Sequence, residues 1–275
     1  IIGLGNALID VLATLKDDTL LDELELPKGS MQLIDDAKLQ QINTKFSQMK
    51  THLATGGSAG NAILGLACLG AGTGFIGKVG NDHYGDFFRK NLQKNNIEDN
   101  LLTSEQLPSG VASTFISQDG ERTFGTYLGA AASLKAEDLT LEMFKGYAYL
   151  FIEGYLVQDH EMILHAIELA KEAGLQICLD MASYNIVEND LEFFSLLVNK
   201  YVDIVFANEE EAKAFTGEEP EEALRVIAKK CSIAIVKVGA NGSYIRKGTE
   251  ENKVSAIPVE KVLDTTGAGD YFASG

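Results

Sequence analysis

Residues 264–272 read Asp-Thr-Thr-Gly-Ala-Gly-Asp-Tyr-Phe and place a glycine-rich turn directly before a predicted helix. Backbone N–H groups at the start of a helix point outward, and the helix dipole adds positive potential, so a phosphate can bind there. Asp270 would lie at the lip of this anion pocket, where its carboxylate could take a proton from an attacking hydroxyl. A glycine turn alone is weak evidence, but this spacing of acid and glycines predicts a phosphoryl-transfer site.

Length and composition limit the classes of protein that the chain can represent. Its 275 residues are 45% hydrophobic, which suits one large α/β domain or one domain with a small appendage. Forty acidic residues against 23 basic ones give a net charge of −17, which argues against nucleic acid or an anionic membrane as a partner. No apolar run is long enough to span a membrane, and residues 1–15 lack the pattern of a signal peptide. Three scattered cysteines without a CxxC pair are typical of reduced thiols, so we expect a cytoplasmic protein.

Short apolar segments alternate with amphipathic ones along most of the chain. The predicted strands are Ile1–Leu4, Thr73–Val79, Tyr149–Glu153, Gln176–Met181, Ile204–Asn208 and Ile233–Val238. The predicted helices are Asp35–Gln48, Ala59–Leu69, Tyr84–Asn95, His160–Ala173, Leu191–Lys200, Glu209–Thr216 and Pro220–Lys230. Several strands are apolar on both faces, as in a buried parallel sheet. The alternation predicts an α/β fold, with a mostly parallel sheet between helices.

Two segments interrupt this alternation, Val11–Leu33 and Ser109–Leu128, and both show polar alternation. The Asp119-Gly120 pair predicts a hairpin turn within the second segment. We expect the two segments to form a small β lid on a main domain made of residues 1–10, 34–108 and 129–275. Ordinary surface hairpins are the alternative interpretation.

Polar residues that could hold a hydroxylated ligand lie at the start of one predicted helix and after the first predicted strand. Residues 55–61 read Thr-Gly-Gly-Ser-Ala-Gly-Asn, where Gly56 and Gly57 permit close backbone approach and Asn61 supplies a donor and an acceptor. Asp10 follows the first strand, and ligands of open α/β sheets bind beyond the carboxyl ends of strands. Without a ligand, these residues would be a glycine-rich helix start and a surface carboxylate.

Two further strand ends carry residues suited to a nucleotide. Asn208 could cap the helix after its strand, and it lies three residues before Glu211, so both could orient waters around Mg²⁺. Lys237 ends another strand, Gly239 would let a nucleotide approach the backbone, and Gly242 completes an Asn-Gly turn. A helix cap and a plain hairpin explain the same residues without a ligand.

Together these motifs resemble those of the PfkB, or ribokinase-like, carbohydrate kinase family over nearly the whole chain. The segment 56–61 is similar to the family's first signature, and the segment 264–270 to its more specific second signature. Residues 77–82 with Gly85 resemble another family motif, and Asn208 to Glu211 match its Asn-x-x-Glu pattern. Weaker cues resemble adenosine-kinase-like members, and they lie at residues 5–10, 26–30, 120–123 and 128–131.

The resemblance implies a three-layer ribokinase-like sandwich that transfers phosphate from ATP, with Mg²⁺, to a primary alcohol of a sugar or nucleoside. By family analogy, Asp270 is the general base, and the anion hole comprises Gly267, Ala268 and Gly269. The implied substrate-binding residues are Asp10, Gly56, Gly57, Asn61, Phe115 and Arg122, with Phe124, Tyr127 and Tyr155 as further stacking candidates. The implied nucleotide-binding residues are Asn208, Glu211, Lys237, Gly239, Gly242 and Thr265, with Glu211 holding Mg²⁺ through water. Candidate ligands for a monovalent cation such as K⁺ are Asp264 and Thr266.

Two other functions remain compatible with parts of this pattern. A sugar or nucleotide sensor could use the same fold, although a sensor has no need of a base at Asp270. A dinucleotide-dependent oxidoreductase would need Gly-x-Gly-x-x-Gly after the first strand, but Leu8 stands where the third glycine belongs. The family normally continues beyond its second signature, so we expect further C-terminal elements that this sequence lacks. Exposed lid strands would also permit a homodimer.

Overall fold

The computed structural model describes residues 1–259 and 267–275, and most of its strands form one large sheet. Its nine strands lie in the order β14-β13-β12-β11-β10-β9-β1-β5-β6. They are β1 Ile2–Leu4, β5 Thr73–Gly80, β6 Ile97–Ser104, β9 Tyr149–Glu153, β10 Gln176–Asp180, β11 Ile204–Asn208, β12 Ile233–Lys237, β13 Ser243–Lys247 and β14 Glu250–Val254. All neighbours pair in parallel except β12–β13 and β13–β14, which are antiparallel.

A second sheet of five strands has the order β3-β8-β7-β2-β4. Its strands are β2 Leu8–Thr14, β3 Met31–Leu33, β4 Thr51–Gly56, β7 Gly110–Ile116 and β8 Arg122–Tyr127. The β7–β8 hairpin turns at Gly120, which has φ of +85° and therefore adopts a conformation that glycine tolerates best. The chain passes from the large sheet to the second sheet between β1 and β2, so Asp10 lies near the junction of the two sheets.

Ten α-helices, besides short 3-10 turns, are present in the described residues. They are α1 Thr19–Glu23, α2 Asp36–Phe46, α3 Ser58–Cys68, α4 His83–Lys94, α5 His160–Glu172, α6 Tyr184–Asn189, α7 Leu191–Lys200, α8 Glu209–Thr216, α9 Pro220–Ile227 and α10 Ala268–Ser274. Side-chain caps fix several starts, since Asp35, Asp82 and Asp159 each accept hydrogen bonds from backbone N–H groups of the following helix. None of the helices in residues 1–259 and 267–275 combines the length and the apolar character needed to cross a bilayer.

Helices cover both faces of the large sheet, which gives three layers. Alternate residues of β1 face opposite layers: Ile2 and Leu4 belong to a core under α5 and α7, whereas a Cβ on Gly3 would lie 2.4 Å from Ile63 of α3. A second core joins α2, α3 and α4 to the five-stranded sheet. Two buried apolar faces explain why the central strands are apolar at nearly every position.

The predicted fold class, a three-layer α/β sandwich with a mostly parallel sheet and a smaller β unit, is confirmed. Every predicted strand and helix of the large layer is present within a few residues of its predicted bounds. The second sheet extends beyond the two segments assigned to it, because it also contains residues 8–10 and Thr51–Gly56. The first of those segments also contains the short helix α1, which the sequence analysis did not predict.

Candidate active site

A cleft of about 1170 Å³ opens where the carboxyl ends of the parallel strands meet the second sheet. The predicted site residues that line it are Asp10, Gly57, Asn61, Asn208, Glu211, Lys237, Gly239, Gly242, Gly267, Ala268, Gly269 and Asp270. These residues come from parts of the sequence that lie up to 260 positions apart (270 − 10). We call this space the main cleft.

Asp270 lies in the first turn of α10, directly after the glycine turn, and faces the main cleft. Ser58 Oγ donates to Asp270 Oδ1 at 2.8 Å, and Asn61 Nδ2 donates to Oδ2 at 2.9 Å. Burial raises the pKa of Asp270, while these two hydrogen bonds oppose the shift. The helix that carries Asp270 is therefore joined to the first turn of α3 through two side chains on α3.

Gly267 precedes α10 with φ of +69°, a left-handed conformation that disfavours residues with a side chain. A Cβ on Gly267 would lie 3.2 Å from Asn61 Nδ2, and a Cβ on Gly269 would lie 3.2 Å from Lys237 Nζ. The glycines thus bring the backbone of the turn close to an amide on one side and an ammonium on the other. This arrangement suits an anion in the main cleft.

Lys237 ends β12 and donates from Nζ to Asp180 Oδ2 at 3.1 Å. The Asp180 side chain is only 6% exposed and the Lys237 side chain 14%, so the pair lies in the wall of the main cleft. The sequence analysis missed Asp180. Its signal was an acid at the end of the apolar strand β10, which is the carboxyl edge where ligands of α/β sheets bind.

Asn208 and Glu211 form a reciprocal capping box at the start of α8. Asn208 N and Nδ2 donate to the two carboxylate oxygens of Glu211 at 2.8 and 2.7 Å, and Glu211 N donates to Asn208 Oδ1. Burial first, and the neighbouring Asp180 second, raise the pKa of Glu211 to about 7. The predicted helix cap is therefore present, and the same pair lines the main cleft. The role of the pair in orienting waters around Mg²⁺ stays a prediction.

Asp10 faces the main cleft from β2 of the second sheet. Burial raises its pKa to about 6, the positive charge of Arg122 on β8 lowers it, and the negative charge of Asp270 raises it. A Cβ on Gly56 would lie 2.5 Å from Asp10 Oδ1, so glycine at this position leaves room for the carboxylate. The predicted residues Asp10, Gly56 and Arg122 are thus brought together, although Gly56 contributes space and not a contact surface.

Phe115 does not line the main cleft, and its assignment as a substrate-binding residue is wrong. Its side chain is fully buried against Phe46 of α2, with the ring centroids 5.0 Å apart. Phe115 pairs with Thr123 across the hairpin, so both residues face the core, whereas the next residue, Phe124, faces the cleft. Among the aromatic alternatives, Phe124 and Tyr155 line the cleft.

A second space of about 660 Å³, here called the side pocket, adjoins the main cleft. Gly57, Ser58 and Tyr155 line both spaces. The walls of the side pocket are mostly apolar and include Leu8, Met31, Leu33, Leu128, Ala131, Leu134, Leu156, Met162 and Ile186. Its polar rim includes Lys135, Gln158, Asp159 and His160. The sequence offered one signal for this pocket, because Leu8 and Asp10 are two positions apart on β2 and share a face.

Predictions for Asp264, Thr265 and Thr266 concern residues outside the described part of the chain. Within that described part, no group of three His, Cys, Asp or Glu side chains is arranged to hold a metal ion directly. Asp180 and Glu211 still place two carboxyl groups on the wall of the main cleft. That donor set is consistent with a metal ion held largely by water and by a bound phosphate.

Several known proteins are similar to this chain in sequence and structure. A model of the pfkB family carbohydrate kinases matches residues 29–275. The structure of a probable sugar kinase from Rhizobium etli CFN 42 has 34% identity and a TM-score of 0.88, with 100% of this chain and 84% of that chain covered. Adenosine kinase from Sinorhizobium meliloti has 33% identity and a TM-score of 0.86, with 100% and 85% covered. Adenosine kinase 2 of Arabidopsis thaliana is 25% identical over 301 aligned positions, which cover 100% of this chain and 86% of that protein.

The fold, the glycine turn before α10 and the cleft at the carboxyl ends of the strands define a phosphotransferase that uses an alcohol group as acceptor. The chain belongs to the pfkB family of carbohydrate kinases. Within that family it is a sugar or nucleoside kinase of the adenosine-kinase-like type.

Proposed function

We propose that the protein is an ATP-dependent kinase that phosphorylates the hydroxymethyl group of a nucleoside, with Asp270 as the general base. One observation carries this proposal: Ser58, which holds Asp270 at 2.8 Å, lies in the wall shared by the main cleft and the side pocket. An acceptor molecule that extends between the two spaces would pass directly beside the carboxylate. Phosphoryl transfer requires positioning of this kind more than it requires covalent chemistry.

The side pocket favours a nucleoside over a free sugar. A free pentose exposes hydroxyl groups in every direction, and an apolar pocket would leave them without hydrogen-bond partners. A flat base fits apolar walls such as Leu8 and Leu128, and its polar edge can reach the rim at Gln158 and His160. The ribose of such a nucleoside would then lie near Asp10, with Asn61 and Gly57 on the opposite wall. The adenosine kinases among the relatives agree with this choice.

The remaining part of the main cleft suits ATP. Lys237 lies beside the glycine turn, where its charge would neutralise a phosphate, and Gly239 leaves open backbone for the nucleotide. Gly242 also lines the cleft, but it packs closely against the backbone of residues 254–256, so its part in nucleotide binding stays a prediction. Asn208 and Glu211 line the same wall, and we infer that they orient water molecules around Mg²⁺. Bound Mg²⁺ would neutralise charge on the phosphates. A role for Thr265 in nucleotide binding, and for Asp264 and Thr266 in binding K⁺, remains a prediction.

The reaction then follows from the contacts of Asp270. Ser58 and Asn61 orient its carboxylate, which accepts the proton of the acceptor hydroxyl as that oxygen attacks the γ-phosphate. The bond from the γ-phosphorus to the bridging oxygen breaks, and ADP leaves with that oxygen. The backbone of Gly267, Ala268 and Gly269 faces the same space, where developing negative charge can be stabilised. The raised pKa of Asp270 brings it closer to the working pH and so makes it a better base.

The test is an ADP-release screen of the protein with ATP and Mg²⁺ against adenosine, guanosine, inosine, ribose and fructose. We expect turnover with a nucleoside and little with free sugars. Asp270→Asn should lower kcat by about 10²–10⁴-fold, the usual contribution of a positioned base. Asp17→Asn, at an exposed position remote from the main cleft, is the matched control and should be as active as the wild type.

Three results would change the proposal. Turnover of free sugars alone would replace the nucleoside with a sugar substrate. Nucleoside binding without ADP release would favour a sensor. Wild-type turnover in Asp270→Asn would show that Asp270 is not the general base.

A homodimer through the second sheet stays a prediction. The edge strands β3 and β4 are mostly exposed, so their free backbone groups could pair with those of a second copy. Sedimentation measurements would test whether the protein is a dimer.

A further inference from the structure

Glu153 is a buried acid beside the proposed reaction centre that the family signatures do not include. It is the last residue of β9, at the carboxyl edge of the large sheet, and its side chain is almost fully buried at 1% exposure. Its Oε1 accepts hydrogen bonds from Asn6 N at 2.8 Å and from Asn6 Nδ2 at 2.6 Å. Its Oε2 accepts a hydrogen bond from Ala59 N at 2.9 Å. One carboxylate therefore connects three segments: the end of β9, the turn after β1 and the first turn of α3.

Neighbouring glycines show that this junction is tightly packed. A Cβ on Gly5 would lie 2.5 Å from Glu153 Oε2 and 2.6 Å from the Cβ of Ala59. Gly57 has φ of +86°, and a Cβ there would lie 2.2 Å from the carbonyl oxygen of Asn6. Because real Cβ atoms do not approach other atoms so closely, the glycines are required for Glu153 to reach its donors.

The same turn of α3 holds Asp270. Ala59 directly follows Ser58, and Asn61 N donates to Gly57 O at 2.9 Å within that turn. Ser58 and Asn61 are the two side chains that hold the Asp270 carboxylate. A shift of the turn by a few tenths of an ångström would therefore move both donors of the base together.

Charge links Glu153 to the same centre. Burial raises the pKa of Glu153 to about 7, hydrogen bonds from Ala59 and Asn6 lower it, and the negative charge of Asp270 raises it further. Tyr155 lies in the wall of both spaces, and burial first and the charge of Glu153 second raise its pKa. The pKa of Glu153 therefore depends on the charge of the proposed base, Asp270.

We propose that Glu153 is a positioning residue of the kinase reaction, which acts through Ala59 on Ser58 and Asn61 and so fixes the carboxylate of Asp270 against the acceptor alcohol. This role rests on the proposed function. It differs from that of a plain structural carboxylate, because it predicts a loss in the chemical step that is separate from any loss of folded protein. Glu153 also borders the side pocket, but its side chain is almost fully buried and both of its carboxylate oxygens already accept hydrogen bonds, so the proposed role does not require contact with substrate.

The test compares Glu153→Gln with the wild type at temperatures where both are folded by circular dichroism. Glutamine keeps the shape of the side chain but replaces one accepting oxygen with an NH₂ group, which cannot accept the hydrogen bond from either Ala59 or Asn6. We expect kcat to fall by about 10- to 100-fold, as for loss of a hydrogen bond to a charged group, with KM for ATP nearly unchanged. Glu98→Gln, at a partly exposed edge-strand acid bonded to Tyr147, is the control and should retain wild-type kcat.

The pH profile separates positioning from structural support. In the wild type, the acid limb of kcat should include protonation of Glu153 together with that of the other acids of the site, Asp270, Asp10 and Glu211. Glu153→Gln removes the contribution of Glu153 and leaves the others. The limb should therefore move to lower pH in the variant. A variant that loses thermal stability but keeps the wild-type kcat and the wild-type limb would overturn the proposal.

A double-mutant cycle keeps the idea testable if Glu153→Gln folds poorly. Glu153→Asp keeps the charge but shortens the side chain, and it should recover part of the kcat that Gln loses. Combined with Ser58→Ala, either Glu153 variant should add less than its single effect, because both changes act on the same carboxylate. Strict additivity would show that Glu153 does not act through Ser58. If the wild type phosphorylates no acceptor, the proposed function fails first; if it is active and all variants match it, only the positioning role fails.

Discussion

Asp10 shows how a single buried carboxyl group couples stability to pH. Its pKa is about 6 in the folded protein, because burial raises it, and near its ordinary value of about 3.9 in the unfolded chain. Between those values the folded state binds the proton more tightly than the unfolded state does. The stabilisation from protonated Asp10 is therefore fully present below about pH 4 and is lost as the pH rises through 6.

We predict that Asp10→Asn will reduce this pH dependence. Relative to the wild type, the variant should gain free energy of unfolding between pH 4.5 and pH 7, because Asn has no charge to bury. Urea unfolding at the two pH values measures the difference. Asp17→Asn is the control, since Asp17 is exposed and its pKa is lowered by hydrogen bonds from Thr19, so its effect should be small and opposite in sign. An equal pH dependence in Asp10→Asn and the wild type would show that burial does not raise the pKa of Asp10.

At the scale of single elements, Asp82 connects the start of α4 to the start of β7. Its carboxylate accepts hydrogen bonds from the backbone of Tyr84 and Gly85 in α4, and from N and Oγ of Ser109. Burial would raise the pKa of Asp82, but these hydrogen bonds together lower it. One residue thus caps a helix of the large layer and also fixes the point where the chain enters the second sheet.

We predict that Asp82→Ala will lower the free energy of unfolding at pH 7 by about 2–4 kcal/mol, because several charge-assisted hydrogen bonds are lost. Asp35→Ala is the matched control. Asp35 caps the exposed start of α2 through a hydrogen bond from Lys38 N, and its loss should lower the free energy by about 1 kcal/mol. Because the folded pKa of Asp82 is lowered, its contribution is present above the unfolded pKa and disappears as the pH falls through the folded value. Equal losses in the two variants would show that the contacts with Ser109 add nothing.

Elements at the sheet edges explain where sequence patterns fail. β14 is exposed at every position, β4 is exposed or half-buried at most positions, and both lie at the edge of a sheet. β6, at the other edge of the large sheet, has only two buried residues. An edge strand gains its order from backbone pairing with one neighbour, so it carries no hydrophobic pattern that the sequence could reveal.

At the scale of the whole molecule, the second sheet and the helices of the large layer together form the walls of the side pocket. Met31 and Leu33 of β3 are 49% and 64% exposed in the structure, although they line the apolar side pocket. Exposed apolar walls around a pocket favour closure on an apolar ligand, because closure would remove those side chains from water. This observation supports the interpretation of the second sheet as a lid.

We predict that saturating adenosine will slow amide hydrogen exchange in Met31–Leu33 and in Arg122–Tyr127, which pair with each other at the edge of the second sheet. Exchange in Glu250–Val254, at the far edge of the large sheet, should stay unchanged and serves as the internal control. A non-hydrolysable ATP analogue, added with no free adenosine present, should instead slow exchange in the residues near Asn208 and Lys237. Binding of adenosine, shown by a raised melting temperature, without slower exchange in β3 and β8 would contradict lid closure.

The sequence by itself determined the central strands of the large sheet, most of the helices that cover it and most of the residues of the main cleft. Buried strands must be apolar, helix starts need caps, and a glycine turn before an acid leaves a local pattern. Asp10, Asn61, Lys237 and Asp270 were therefore predicted from short segments, and the structure brings them to one cleft. Asp10 and Lys237 were identified from the ends of strands, because the carboxyl ends of parallel strands lie at the same edge of a sheet. Asn61 and Asp270 were identified from glycine-rich turns at the starts of helices.

Only the tertiary structure decided whether each residue of the second sheet faces the core or the cleft, and which partners the buried acids contact. Phe115 and Phe124 belong to one hairpin with similar local sequence, yet pairing register sends one to the core and the other to the cleft. Glu153 and Asp180 gain their partners, Ala59 and Lys237, from segments far away in the chain. Burial and charge coupling are properties of how distant segments pack together, and no local pattern encodes them.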